Sequence, residues 1–212
     1  FIHLYFNKCL SSKKSMKFDF SQPIKLENER VILRPLEQND FTYLLPFSEN
    51  EKDLWDFSLT PAAGAENLQT YIDTALTAKE KLQAYPFVVF DKHVHKVAGS
   101  TRFYDIQITH NVLSLGYTWY GAEFQRTGLN RNCKYLLLSY AFDVLGVDRV
   151  EFRADLRNVK SIQAMKQIGC TQEGILRSNC SASDGRRDSI VLSILKPEWD
   201  QKVKTHLQSK LY

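Results

Sequence analysis

Apolar and polar positions along this chain follow two periods, and the switch between them marks out the elements. Runs of period two predict strands at Arg30 to Arg34, closed by Pro35, at "YPFVVF" from Tyr85, at "KVAGSTRFYDI" from Lys96 and at "VLSLGYTWY" from Val112. Thr109 to Asn111 supply the turn between the last two. At Leu129 the period becomes about 3.6. Leu129, Cys133, Leu136, Leu137, Tyr140, Ala141, Val144 and Leu145 then form one stripe, which predicts a helix over 129–145 stopped by Gly146. Weaker patterns predict helices over 37–46 and 61–81, a short helix opening at Asn158, and a terminal helix from Pro197. Further strands are expected at "RVEFRAD" from Arg149, over 171–177 and over 189–195, the last two turning at Asp184-Gly185. Strand, helices, three strands, helix, strand, helix and two strands is a mixed α/β order with an antiparallel start.

Composition narrows the class. The 212 residues are 43% hydrophobic, enough for a sizeable core and too much for a disordered chain. No run of about 18 apolar residues occurs, so neither a membrane span nor a membrane partner is expected, and the cytoplasm is the expected compartment. The formal charge is +4, of which Lys8, Lys13 and Lys14 supply three. The first fifteen residues hold no acidic side chain and precede Met16, where "MKFDFSQPIKLENERVILRPL" reads as a natural start. Residues 1–15 are therefore expected to be a leader outside the fold, with 16–212 forming a single domain. Near-neutrality after Met16 removes the electrostatic basis for a nucleic-acid partner. The four cysteines are widely spaced with no C-x-x-C, so reduced thiols and no metal are expected, Cys133 being a packed core thiol.

The junction Gln125-Arg126-Thr127-Gly128-Leu129-Asn130 carries the most informative chemistry. A loop that opens a helix turns free N–H groups and the positive end of the helix dipole outward, an arrangement suited to phosphate. Gly128 lets the backbone approach a bulky ligand. Many such loops carry one glycine and no ligand, so the motif alone leaves both readings open. G-x-G-x-x-G, G-x-x-x-x-G-K-[ST] and G-x-S-x-G are absent, which disfavours dinucleotide sites, P-loops and nucleophile-elbow hydrolases.

Element order and loop spacing together resemble the GNAT family of acyl-CoA-dependent N-acetyltransferases, in its RimJ/RimL-like branch. The family's pyrophosphate loop has the form Q/R-x-x-G-x-G/A, and Gln125, Gly128 and Asn130 occupy its marked positions. Asparagine departs from that form, as it does in RimJ/RimL-like sequences of the "GTGVN" kind. The run "TGLNRNCKYLLLSYAFDVLGVDRVEFRADLRNVKSIQAMKQIGCTQEGILR", with "DGRRDSIVLSILKPEW" and "VILRPLEQND", extends the likeness over nearly everything after Met16.

The resemblance implies a mostly antiparallel twisted sheet of about seven strands flanked by helices and splayed centrally at the CoA site. It implies acetyl-CoA as co-substrate, bound by Tyr117, Thr118 and Trp119 on the splayed strand, by Gln125, Arg126, Thr127, Gly128, Leu129 and Asn130 in the loop, and by Asn158 and Ser161. The acceptor implied is an amine-bearing small molecule or a peptide or protein N-terminus, beside Trp55, Asp56 and Phe57, and the chain is expected to be a monomer or homodimer. Many relatives place a tyrosine seven residues after the asparagine as acid for the departing thiolate; Met165 stands there and cannot donate a proton. Ser161 then becomes the candidate acid and Glu123 the candidate base, with Asp56 and Asp155 as further carboxylates. The alternatives are another acyl-CoA on the same fold, such as succinyl-CoA, or a non-catalytic CoA-binding or interaction module.

Overall fold

Eight strands pair into a single sheet in the computed structural model, which describes residues 16–182 and 184–211. They are β1 (Leu26–Glu27), β2 (Val31–Pro35), β3 (Ala84–Asp91), β4 (Lys96–Gln107), β5 (Val112–Tyr120), β6 (Arg149–Asp155), β7 (Thr171–Ala182) and β8 (Gly185–Leu195). Their order is β1-β2-β3-β4-β5-β6-β8-β7, and only β5 and β6 run parallel. The mixed, mostly antiparallel architecture is the one expected. The additional strand is β1, whose two residues are too few to show a period.

Four helices accompany the sheet: α1 (Phe41–Asn50), α2 (Ala65–Glu80), α3 (Leu129–Ser139) and α4 (Val159–Gln167). A terminal helical run follows β8 through Lys196–Glu198, Trp199–Val203 and Lys204–Gln208. The stripe seen in the sequence is the buried face of α3, where Leu129, Cys133 and Leu137 are fully buried. Past Ser139 the helix widens into a π-type turn, Tyr140–Leu145, which stacks Phe142 on Trp199 with ring centroids 5.4 Å apart. Gly146 then stops it at φ 75°, in the left-handed region where a side chain is strained. Among the described residues no helix is long and apolar enough to cross a membrane.

Helices cover both faces of the sheet, and two adjacent residues of β5 show which cover which. Trp119 packs edge-on against Phe47 of α1 and donates from Nε1 to the Tyr71 hydroxyl of α2 (3.3 Å). Thr118, next in line, accepts from Lys134 of α3 at 2.9 Å. On the α3 side, Phe103 stands edge-on to Phe18 and Phe87, with centroids 6.4 and 5.6 Å apart. Met16 is buried there too, and its N–H donates to Asn111 Oδ1 at 2.7 Å. The proposed leader, 1–15, lies outside the described residues.

Two elements outrun their sequence signals. Helix α1 continues past Pro46 to Asn50 although proline removes a backbone donor, because burial of Leu44 and Phe47 holds the remaining turns. The hairpin of β7 and β8 reaches Ala182↔Gly185, well beyond the strands expected over 171–177 and 189–195. Its register slips between Leu176 and Cys180, where Ser178 takes φ 50° and its N–H donates to Asp188 Oδ1 at 2.7 Å. A strand exposed along most of its length has no buried face to impose a hydrophobic period.

Phe103 fixes the expected scale of the core. Replacing it with alanine should lower unfolding free energy by about 3–5 kcal/mol, read from urea or guanidinium midpoints at unchanged slope.

Candidate active site

The sheet is interrupted at its centre. β5 and β6 pair only through Val112↔Arg149, Leu113↔Val150 and Ser114↔Glu151, after which the strands part. The cause lies on the other side of β5. Between Ser100↔Trp119 and Arg102↔Gly116, β4 contributes one residue, Thr101, while β5 contributes two, Tyr117 and Thr118. The extra residue forms a bulge with Tyr117 at φ 50°, and a bulge bends its strand away from the former direction. The edge of β5 facing β6 is left without strand partners from Leu115 onward. Unpaired strand groups of this kind bind an extended arm as an added strand.

The loop at the end of β5 presents open backbone donors. Arg126 and Gly128 take φ 62° and 89°, and the amides of Arg126, Thr127 and Gly128 meet no acceptor among the described residues. The first amides of α3 point the same way, since a helix cannot satisfy its own first turn. Polar side chains hold this shape from behind. Gln125 Nε2 donates to the Tyr120 carbonyl at 3.0 Å, Thr127 Oγ1 to the Phe124 carbonyl at 2.8 Å, and the Tyr120 hydroxyl to Asn130 Oδ1 at 3.2 Å. Arg30, paired with Asp91 at 2.7 Å, reaches Thr127 Oγ1 at 3.4 Å, and Asn28 Nδ2 donates to Asn132 Oδ1 at 2.8 Å. A Cβ added at Gly128 would meet nothing within 4 Å, so the space in front of the loop is open to a ligand. These features fit a pyrophosphate and an extended pantetheine arm, the group the resemblance implies.

Across the gap, Asn158 caps α4 by accepting the Ser161 N–H at 3.0 Å, and Ser161 is half-buried. Asp155, at the end of β6, is buried and gripped at both carboxylate oxygens by Arg157 (2.9 and 2.7 Å). The guanidinium holds its carboxyl below the usual carboxylate range, so Asp155 is an ion-pair partner and not a free base. Residues 30–171 match the description "Acetyltransferase (GNAT) domain", more than half of the chain.

The chain belongs to the GNAT acetyltransferase family.

A crystal structure of a GCN5-related N-acetyltransferase from Brucella melitensis superposes with a TM-score of 0.83 at 27% identity, covering 90% of this chain and 86% of its own. "Probable N-acetyltransferase YjcK" of Bacillus subtilis is 26% identical over 182 residues, which span 83% of this chain and 99% of the relative. The ribosomal-protein-S5-alanine acetyltransferase from Vibrio fischeri shares the fold at TM-score 0.66 and 21% identity, covering 83% and 98% of the two chains. Such neighbours agree with the RimJ/RimL-like likeness read from the sequence.

Within this GNAT site the remaining candidates differ in setting. Glu123 sits on the turn after β5, 55% exposed in its side chain and 3.8 Å from Lys96 Nζ. Trp55 is buried at 4.8 Å from Trp119, whereas Asp56 and Phe57 are exposed. Trp119 turns its ring into this aromatic cluster. Met165 is buried in the core. Among the described residues no cluster of His, Cys, Asp and Glu could hold a metal ion.

Sequence reasoning missed three residues around the gap: Tyr71, Arg102 and Lys134. Arg102 is 3% exposed on β4, and Lys134 is 5% exposed on the apolar side of α3. A charge set in an apolar run, as in "NCKYLLL", is the signal that could have found Lys134; Tyr71 and Arg102 carry none of this kind. Lys134 Nζ lies 5.9 Å from the Phe152 ring of β6 and bonds Thr118 of β5, so it spans the floor of the gap.

Burial pushes the Lys134 ammonium down to about 8 from its ordinary 10.5. Because the folded value is the lower one, the unfolded chain binds more protons between those two pH values, and stability rises with pH across that window. Below pH 8 the penalty is fully present. The stability of wild type relative to Lys134→Met should therefore rise by roughly 3 kcal/mol from pH 7.5 to 10.5, measured by denaturant titration.

Proposed function

We propose that this GNAT enzyme moves an acetyl group from acetyl-CoA to a primary amine of a peptide or protein N-terminus or of a small molecule, by direct attack in a ternary complex. The observation that carries this reading is the unpaired edge of β5 leading into the open amides of residues 126–128. Bound there, acetyl-CoA supplies an activated acyl thioester. The chain orients it: the loop amides hold the pyrophosphate, the free edge of β5 holds the arm, and Asn158 sets the start of α4 so that Ser161 meets the thioester end.

Direct transfer is favoured by the state of the two buried thiols. Burial pushes both Cys133 and Cys170 up to about 12, which leaves neither as a thiolate nucleophile at neutral pH. The attacking amine must be neutral, which holds for about a tenth of α-amino groups at pH 7 but only one lysine in a few thousand. An N-terminal amine therefore asks less of a base. That suits a site whose base candidates are the exposed Glu123 and Asp56. A ribosomal-protein-S5-alanine acetyltransferase among the structural neighbours supports a protein as one acceptor. With Met165 unable to donate, Ser161 or a water it holds protonates the leaving thiolate.

An amine panel with acetyl-CoA, reading released thiol and product mass, tests the reaction. Acetylation of at least one α-amine is expected, and donor competition separates acetyl-CoA from longer acyl-CoA. CoA binding with no turnover on any amine would instead fit a non-catalytic module.

Gly128→Val should weaken acetyl-CoA binding by two orders of magnitude or more. The branched side chain enters the open space before the loop, and two or three charge-assisted hydrogen bonds at roughly 1.5–3 kcal/mol each are lost. Strain at φ 89° should cost about 1–3 kcal/mol of stability, so the variant still folds. Calorimetric titration beside a thermal melt separates the two effects; unchanged affinity in the folded variant would remove this loop from the binding site.

A further inference from the structure

Among the described residues, Arg102 is a buried cation without a counter-ion. It lies on β4 opposite Gly116, one step from the bulge, with 3% of its surface exposed. Its guanidinium is flanked by the Tyr117 ring at 4.1 Å and the Tyr71 ring at 4.9 Å. Aromatic faces attract the cation but accept no in-plane hydrogen bond. Nε and Nη2 are both buried, and neither meets an acceptor among the described residues. Arg30, Arg34, Arg149, Arg153 and Arg157 each meet a carboxylate. Arg187, also buried, donates to Ser189 Oγ at 3.0 Å and to the Phe57 carbonyl at 3.4 Å.

The identity of the two orphan nitrogens is informative. Nε–H and one Nη2–H run parallel along one edge of the guanidinium, the edge that a carboxylate takes with two hydrogen bonds. Burying such a pair of donors unmatched is costly, so the site is built for an acceptor that arrives from outside. Trp55 Nε1 is a further buried donor without an acceptor, and its ring lies 6.3 Å from the same Tyr71. The pyrophosphate is the wrong candidate, because its loop begins beyond Tyr120 and Arg102 registers with Gly116 at the bulge. Arg102 stands instead beside Tyr71 of α2, which packs against Trp55.

We propose that Arg102 is a carboxylate-binding residue beside the reacting centre, clamping through Nε and Nη2 a carboxylate carried by the amine acceptor or by the acyl chain of the donor. This rests on the acyl-transfer reading and narrows its substrate class: one of the two reactants is anionic next to the bond being made. Acids near Trp55 favour a cationic amine, and Arg102 adds a second point of recognition of opposite sign.

Two matched pairs test it, each differing by the carboxylate: phenylalanine against phenethylamine, titrated into CoA-saturated protein, and succinyl-CoA against butyryl-CoA, titrated into free protein. Wild type should bind the carboxylate member of one pair at least tenfold more tightly, and Arg102→Gln should abolish that ratio. The pair that shows it identifies the source. Arg102→Lys keeps charge and stem but loses the parallel N–H pair; it should cut the preference at least fivefold, and it serves if the glutamine variant fails to fold. Equal binding within both pairs, or a preference that survives either folded variant, overturns the proposal. Turnover read in parallel samples that hold acetyl-CoA together with each amine keeps the two ideas apart. A carboxylate preference without acetylation of any amine would defeat the transferase reading and leave the Arg102 site standing.

Discussion

A single surplus residue on β5 is the constraint on which the rest of the site depends. With Tyr117 and Thr118 opposite Thr101 alone, β5 cannot stay parallel to β6 beyond three residue pairs, and the sheet opens at its middle. An opened sheet would be a liability if both edges faced water, since unpaired strand groups recruit other strands. Here α3 closes the gap from one face, and Lys134 and Phe152 meet across its floor. The opening is accessible to a slender ligand and closed to a second sheet.

The same bulge sorts side chains to the two faces of the sheet and so divides the chemistry. Thr118 is turned toward Thr101 and Lys134, on the face of α3. Trp119 is turned toward Phe47, Trp55 and Tyr71, on the face of α1 and α2. Tyr117, at the bend, stacks on Arg102 and stands edge-on to Tyr104 at 5.1 Å. On the proposed reading, cofactor and acceptor would approach from different directions and meet at one bend in the backbone, as a direct transfer requires.

Much of this was legible in the sequence where burial imposes a period. Leu129, Cys133 and Leu137 announce α3 because one face of that helix is dry, and Arg149 to Asp155 announce β6 at its observed limits. The loop from Gln125 to Asn130 was legible as a place, since a strand must end and a helix begin there. Its mechanics were not. Gln125 reads as a ligand contact, and nothing in the local pattern shows that its Nε2 also donates to the Tyr120 carbonyl. The bulge leaves no trace in "LGYTWY", because one inserted residue changes pairing without changing composition. Arg102 reads as an ordinary charge on a strand until its guanidinium is seen over two tyrosine rings, at 4.9 and 4.1 Å from their centroids. Pairing and burial of polar groups are long-range properties, and a local pattern cannot report them.

The anchoring of the loop has a consequence for how the protein matures. Thr127 is tied to Arg30 across 97 residues of chain and Asn132 to Asn28 across 104. Closing spans of that length carries a large entropic cost that local helix formation does not share. Helix α3 can therefore be present before its N-terminal loop has a fixed shape, and the open amides of residues 126–128 take their arrangement late, when strands from the beginning of the chain come to rest against it. On a nascent chain, secondary structure and binding capacity would appear as separate events in time.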